Sequence, residues 1–229
     1  MGFNQYNEPA NEFVPNPLCS CSAGEPCTSC RFCEARNTQR GRKALCEKIT
    51  HYLVLQPMYQ RALAQAMQAF FPNKVVYDDE RDICTMLFEA VLFEDTSAGT
   101  TPLSYFIQHA SLSEDEQRLY ETWRTHTRYA FFVVESVTAG SELRLADLAG
   151  EKHYRVYEQR GTITMQQGSV IIARIVPFLK GWMLTTESIV SFSGSGLRDR
   201  LQQAYGVVIP QFLFVQKHLE DHRRRMVSV

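Results

Sequence analysis

The chain has 229 residues, which at about 150 residues per domain allows one large domain or two small ones. Lys and Arg number 24 and Asp and Glu 25, giving a formal net charge of -1. That balance excludes a uniformly basic nucleic-acid coat and an acidic disordered tail protein. Hydrophobic residues at 45% and charged residues at 21% are those of a globular chain able to bury a core.

Residues 1–18 are polar and aperiodic and read as a flexible arm. They contain no basic segment followed by an apolar one, so no secretory signal is expected and the expected compartment is the cytoplasm. No stretch approaches the roughly 20 apolar residues of a membrane helix, so no membrane partner is expected.

Five of the seven cysteines fall in the next segment: Cys19, Cys21, Cys27, Cys30 and Cys33. In a reducing compartment such density points to metal ligands rather than disulfides. Zinc takes four soft ligands in a tetrahedron, and C-x2-C spacings such as Cys27–Cys30 and Cys30–Cys33 let one turn present two thiolates. Cys19-x-Cys21 supplies a further pair, and Ser22-Ala23-Gly24 a bendable turn between them. Five candidates for four places leave one spare. A loop so poor in apolar residues needs the metal to fold. Zinc is therefore the expected cofactor. An iron–sulfur cluster and redox disulfides are the alternatives, although the C-x3-C-P of a ferredoxin run is missing. Just beyond, Arg31, Arg36, Arg40, Arg42 and Lys43 make a local basic step that ends the segment 19–43. It reads either as a solvated linker or as a set of phosphate contacts.

Residues 44–127 carry helical periodicity. Leu45, Ile49, Tyr52 and Leu53 share one face, and Pro57 opens a second helix with Tyr59, Leu63, Ala66 and Phe70 as its stripe. A third helix opens after Asp79 and buries Ile83, Met86, Leu87, Ala90 and Val91. The acidic run Asp78, Asp79, Glu80 and Asp82 suits a helix start. Thr101-Pro102 reads as an N-cap followed by proline, and Ser113 with Glu116 as a capping box ahead of Leu119, Tyr120 and Trp123. Cys46 and Cys84 fall within helices, where inert thiols are expected.

The period changes near Arg128. From there to residue 192, short runs of alternating apolar residues recur at turn spacings, the signature of a small antiparallel barrel or sandwich. Leu143 and Leu145 alternate with Glu142 and Arg144; Tyr154 and Val156 alternate with His153 and Arg155. Ile163 and Met165 read as a further strand. Trp123, Trp182, Tyr129, Phe131 and Phe132 suit a core better than a nucleobase platform. Ser193-Gly194-Ser195-Gly196 leads into a helical tail over 193–229 that ends in Arg223-Arg224-Arg225. The expected class is α+β: a zinc knuckle, a helical region, a small barrel-like domain and a helical tail.

The segment LCSCSAGEPCTSC resembles the SEC-C zinc motif, with Cys19, Cys21 and Cys30 on three of its positions. Arg31 stands at the fourth, so the last ligand is Cys33 or Cys27. Residues 101–190 resemble the uncharacterised domain that accompanies such motifs in bacterial proteins, most specifically at Asp147-Leu148-x-Gly150-Glu151 and Ala173-Arg174-Ile175-Val176-Pro177. The resemblance implies a bacterial, cytoplasmic, zinc-binding protein of no known reaction, more a protein-interaction module than an enzyme. Binding of nucleic acid through the knuckle and the basic step is the alternative function.

Overall fold

Helices form where the apolar residues recur every three or four positions. Leu45, Ile49 and Leu53 are fully buried on helix α1 (Gln39–Leu53). The computed structural model describes residues 39–71, 81–94, 100–179, 181–185, 189–192, 196–205 and 213–217. These group into two compact units that interleave along the chain, one reaching to Lys48 and resuming from Ser111 to Val208, the other taking Ile49–Ala110 and resuming at Ile209.

The second unit is helical. Pro57 occupies the first turn of α2 (Pro57–Phe70), where its missing N–H costs no bond. Of the α2 stripe only Tyr59 is fully buried; Leu63, Ala66 and Phe70 are half-buried. Helix α3 (Arg81–Phe93) buries Ile83, Met86, Leu87, Ala90 and Val91 as its spacing requires. In α4 (Pro102–His109) the Thr101 hydroxyl accepts the Ser104 amide at 3.1 Å, satisfying one orphan donor of the first turn. The Phe106 ring meets Tyr52 edge-on at 5.4 Å.

The first unit is built on a barrel. Strand β1 (Arg128–Thr138) is followed by β2 (Glu142–Asp147), β3 (His153–Tyr157), β4 (Val170–Phe178), β5 (Gly181–Leu184) and β6 (Val190–Phe192). The pairing order is β1-β2-β3-β5-β4, and β4 also pairs with β1, so five strands close into a ring. β6 adds to β4 outside it. The sequence pattern suggests an antiparallel sheet throughout, but β3 and β5 pair in parallel. Parity requires this: directions cannot alternate all the way round a closed ring of five. At the parallel contact the chains approach closely. A Cβ on Gly181 would stand 2.7 Å from the Arg155 carbonyl oxygen, so no larger residue fits.

β1 is shared between both sides of the ring. Its first half, Arg128 to Val133, pairs with β4, and Phe132 to Thr138 pairs with β2. The register slips between Val134 and Ser136, leaving Glu135 as a bulge that sharpens the twist where the strand changes partners. Period-2 alternation sends Phe132, Val134, Leu143, Leu145, Tyr154 and Trp182 into the barrel interior. Ile163 and Met165 do not form the expected strand. Residues Gly161–Thr164 make a single helical turn, α6, tied by the Glu158 carboxylate to the Gly161 amide at 2.9 Å. Thr162 accepts the Gly140 amide at 2.8 Å, so this turn also fixes the β1–β2 connection. Helix α7 (Leu197–Tyr205) donates from Arg198 Nε to the Leu148 carbonyl at 2.6 Å and so holds the β2–β3 turn.

Helix α5 (Glu114–His126) lies against β4, with Trp123 Nε1 donating to the Pro177 carbonyl at 2.9 Å. Its start is the expected capping box: the Ser113 hydroxyl accepts the Glu116 amide, and Glu116 Oε2 accepts the Ser113 amide at 3.0 Å. The other carboxylate oxygen takes Lys48 Nζ at 2.5 Å, and Tyr120 donates its hydroxyl to the Leu45 carbonyl at 3.0 Å. Glu116→Ala should therefore destabilise the fold by about 2 kcal/mol in urea unfolding, the sum of a lost cap and a lost charged hydrogen bond. A loss below about 0.5 kcal/mol, the size of an ordinary surface substitution, would remove it from this role.

Candidate functional site

The outward side of β2 and β3 carries a cluster of charged side chains with two partly exposed arginines. Leu143, Leu145, Tyr154 and Val156 point inward, so the residues between them face out. Register places Arg144 directly opposite Arg155, and Glu142 opposite Tyr157. Two like charges in such a position repel. Glu142 offsets this by pairing with both: it accepts from Arg155 Nε at 2.7 Å on Oε2, and Arg144 Nε forms an ion pair 3.5 Å from Oε1. The Glu142 side chain is 10% exposed, against 37% for Arg144 and 45% for Arg155. The anion sits beneath and the two guanidinium groups above it. The Arg155 guanidinium carbon is 5.3 Å from the centre of the half-buried Tyr157 ring, a cation–π contact. That ring is held edge-on against Phe178 at 6.2 Å and beside Gly181, where a Cβ would meet it at 3.1 Å.

The β1 bulge aims Glu135 at the same face, where its carboxylate meets His153 Nδ1 at 3.0 Å. The face thus combines two cations, two anions, a histidine and an aromatic ring. Its two guanidinium groups are the part that can meet an anion.

The basic step reaches the barrel through one of its members. Arg42 is only 4% exposed, so it is not on the surface where a contact residue belongs. Burial pulls its pKa down, an effect opposed by the Glu158 carboxylate and by Tyr157. Its guanidinium stays charged, since arginine titrates far above neutrality. Arg40 and Lys43, in the same turns of α1, are exposed, with Lys43 Nζ 3.9 Å from Glu47. Arg42 therefore fixes the start of α1 at the end of β3. Arg31, Arg36 and the cysteines Cys19, Cys21, Cys27, Cys30 and Cys33 lie outside the described residues, as do Asp78, Asp79 and Glu80 of the acidic run and the basic C-terminal end, while Asp82 falls in the first turn of α3.

Among the described residues no three His, Cys, Asp or Glu side chains come together as a metal site. Cys46 and Cys84 are half-buried thiols on α1 and α3. Trp123, Trp182, Tyr129, Phe131 and Phe132 are all buried, which makes them core, so none of these five is a platform for a base. Among the described residues no helix is long and apolar enough to cross a membrane. The ion-paired face was partly legible: the alternation of Glu142 and Arg144 with Leu143 and Leu145 assigns them outward. The bridging by Glu142 was not, because it depends on register across the β2–β3 hairpin.

The fold and this face define a small closed-barrel protein with a charged, aromatic-bearing wall. The chain belongs to a family of unknown function, DUF7986, which it matches over residues 32–211. The matched span begins after Cys30, so four of the five clustered cysteines lie outside it. No curated protein and no solved structure matches the chain.

Arg42→Ala should cost about 3 kcal/mol in thermal or urea unfolding, because it strips the buried Glu158 of a neighbouring cation. Arg42→Met should cost less, since it keeps the packing of the stem. Equal losses for the two variants would show that packing alone, and not the charge, places α1 on the barrel.

Proposed function

We propose that this chain is a non-enzymatic binding protein that takes up a single nucleic-acid strand across the outer face of β2 and β3. The observation that carries the reading is the Arg144–Arg155 pair held over Glu142, with Arg155 lying on the Tyr157 ring. A strand needs cations for its phosphates and an aromatic ring for its bases; the guanidinium pair and the half-buried Tyr157 ring would serve these two needs. A closed five-stranded barrel with one parallel pair has the arrangement of an OB-type fold, whose second and third strands commonly hold oligonucleotides or oligosaccharides. That likeness is an analogy of fold and adds weight only beside the residues themselves.

The cysteine segment belongs to the same proposal. Cys19, Cys21, Cys27, Cys30 and Cys33 would hold one zinc ion, four at a time, as their spacing and the likeness to the SEC-C motif support. Cys33 stands six residues before Gln39, so a knuckle would be carried at the N-terminal end of α1. Such thiols persist as ligands in a reducing cytoplasm. The spacing also favours a second reading, in which the knuckle and Arg31 and Arg36 dock a protein partner and the barrel is only a mount.

Fluorescence anisotropy with an oligothymidylate of about 15 nucleotides at low salt decides between them. Strand binding should weaken about tenfold or more in Arg144→Gln/Arg155→Gln. A wild-type chain that binds no strand rules out the first reading. Partner binding that is lost on Cys30→Ser would then carry the second. Elemental analysis of the purified chain should find one zinc per molecule, and iron or no metal would overturn the knuckle.

A further inference from the structure

We draw no further inference here: the strongest candidate, the buried Arg128 Nε on the barrel-facing side of β1, which has no acceptor among the described residues, is sealed from solvent, so no ligand can reach it.

Discussion

A ring of five strands has to place two neighbours in the same direction, and most of this unit follows from where that happens. The parallel contact falls between β3 and β5. Strands that run together cannot be joined by a tight turn, so the chain between them passes through α6 and β4 before it returns. At the contact, Gly181 lets the backbone come close to Arg155, and the same missing side chain makes room for the Tyr157 ring. Closure also requires β1 to serve both ends of the sheet, and the bulge at Glu135 is where it turns from one to the other. The residues of the candidate face are thus by-products of closure: the bulge aims Glu135, the parallel contact seats Tyr157, and the β2–β3 register opposes the two arginines.

A few polar contacts at element ends fasten the helices to the ring. Glu116 closes the first turn of α5 and binds Lys48 with its other oxygen. Tyr120 and Trp123 each bury a large ring and still place their one donor on a backbone carbonyl, so neither leaves an unpaired polar atom behind. Arg42 acts at the opposite end of the same stretch of α1. Charged residues near helix starts, which in sequence look like surface features, here do the work of attachment.

That difference explains how much was legible beforehand. Local rules found the caps at Thr101 and Ser113, the buried faces of α1 and α3 and the outset of strands at Arg128, because each depends on residues within a turn or two of one another. The alternation in β2 and β3 likewise assigned Arg144 and Arg155 outward. Three features were hidden. Ile163 and Met165 alternate like a strand, yet Glu158 accepts the Gly161 amide and starts a helical turn instead. The parallel pair depends on the count of strands in a closed ring, which no single segment contains. Arg42 looked like one more member of a basic run, and its burial depends on Glu158, over a hundred residues later.

The interleaving of the two units has a consequence for the order in which the chain assembles. Lys48 meets a residue 68 positions ahead, and Leu45 one 75 positions ahead. Between them the chain passes through the whole of Ile49–Ala110. During synthesis the start of α1 emerges long before α5 or any strand of the barrel exists to receive it. The helical unit can gather most of its residues first, and doing so shortens the effective loop that must close before α1 finds α5. Folding of the middle segment thus acts as a splint for the ends that flank it, and lesions in that segment should slow barrel formation without touching a barrel residue.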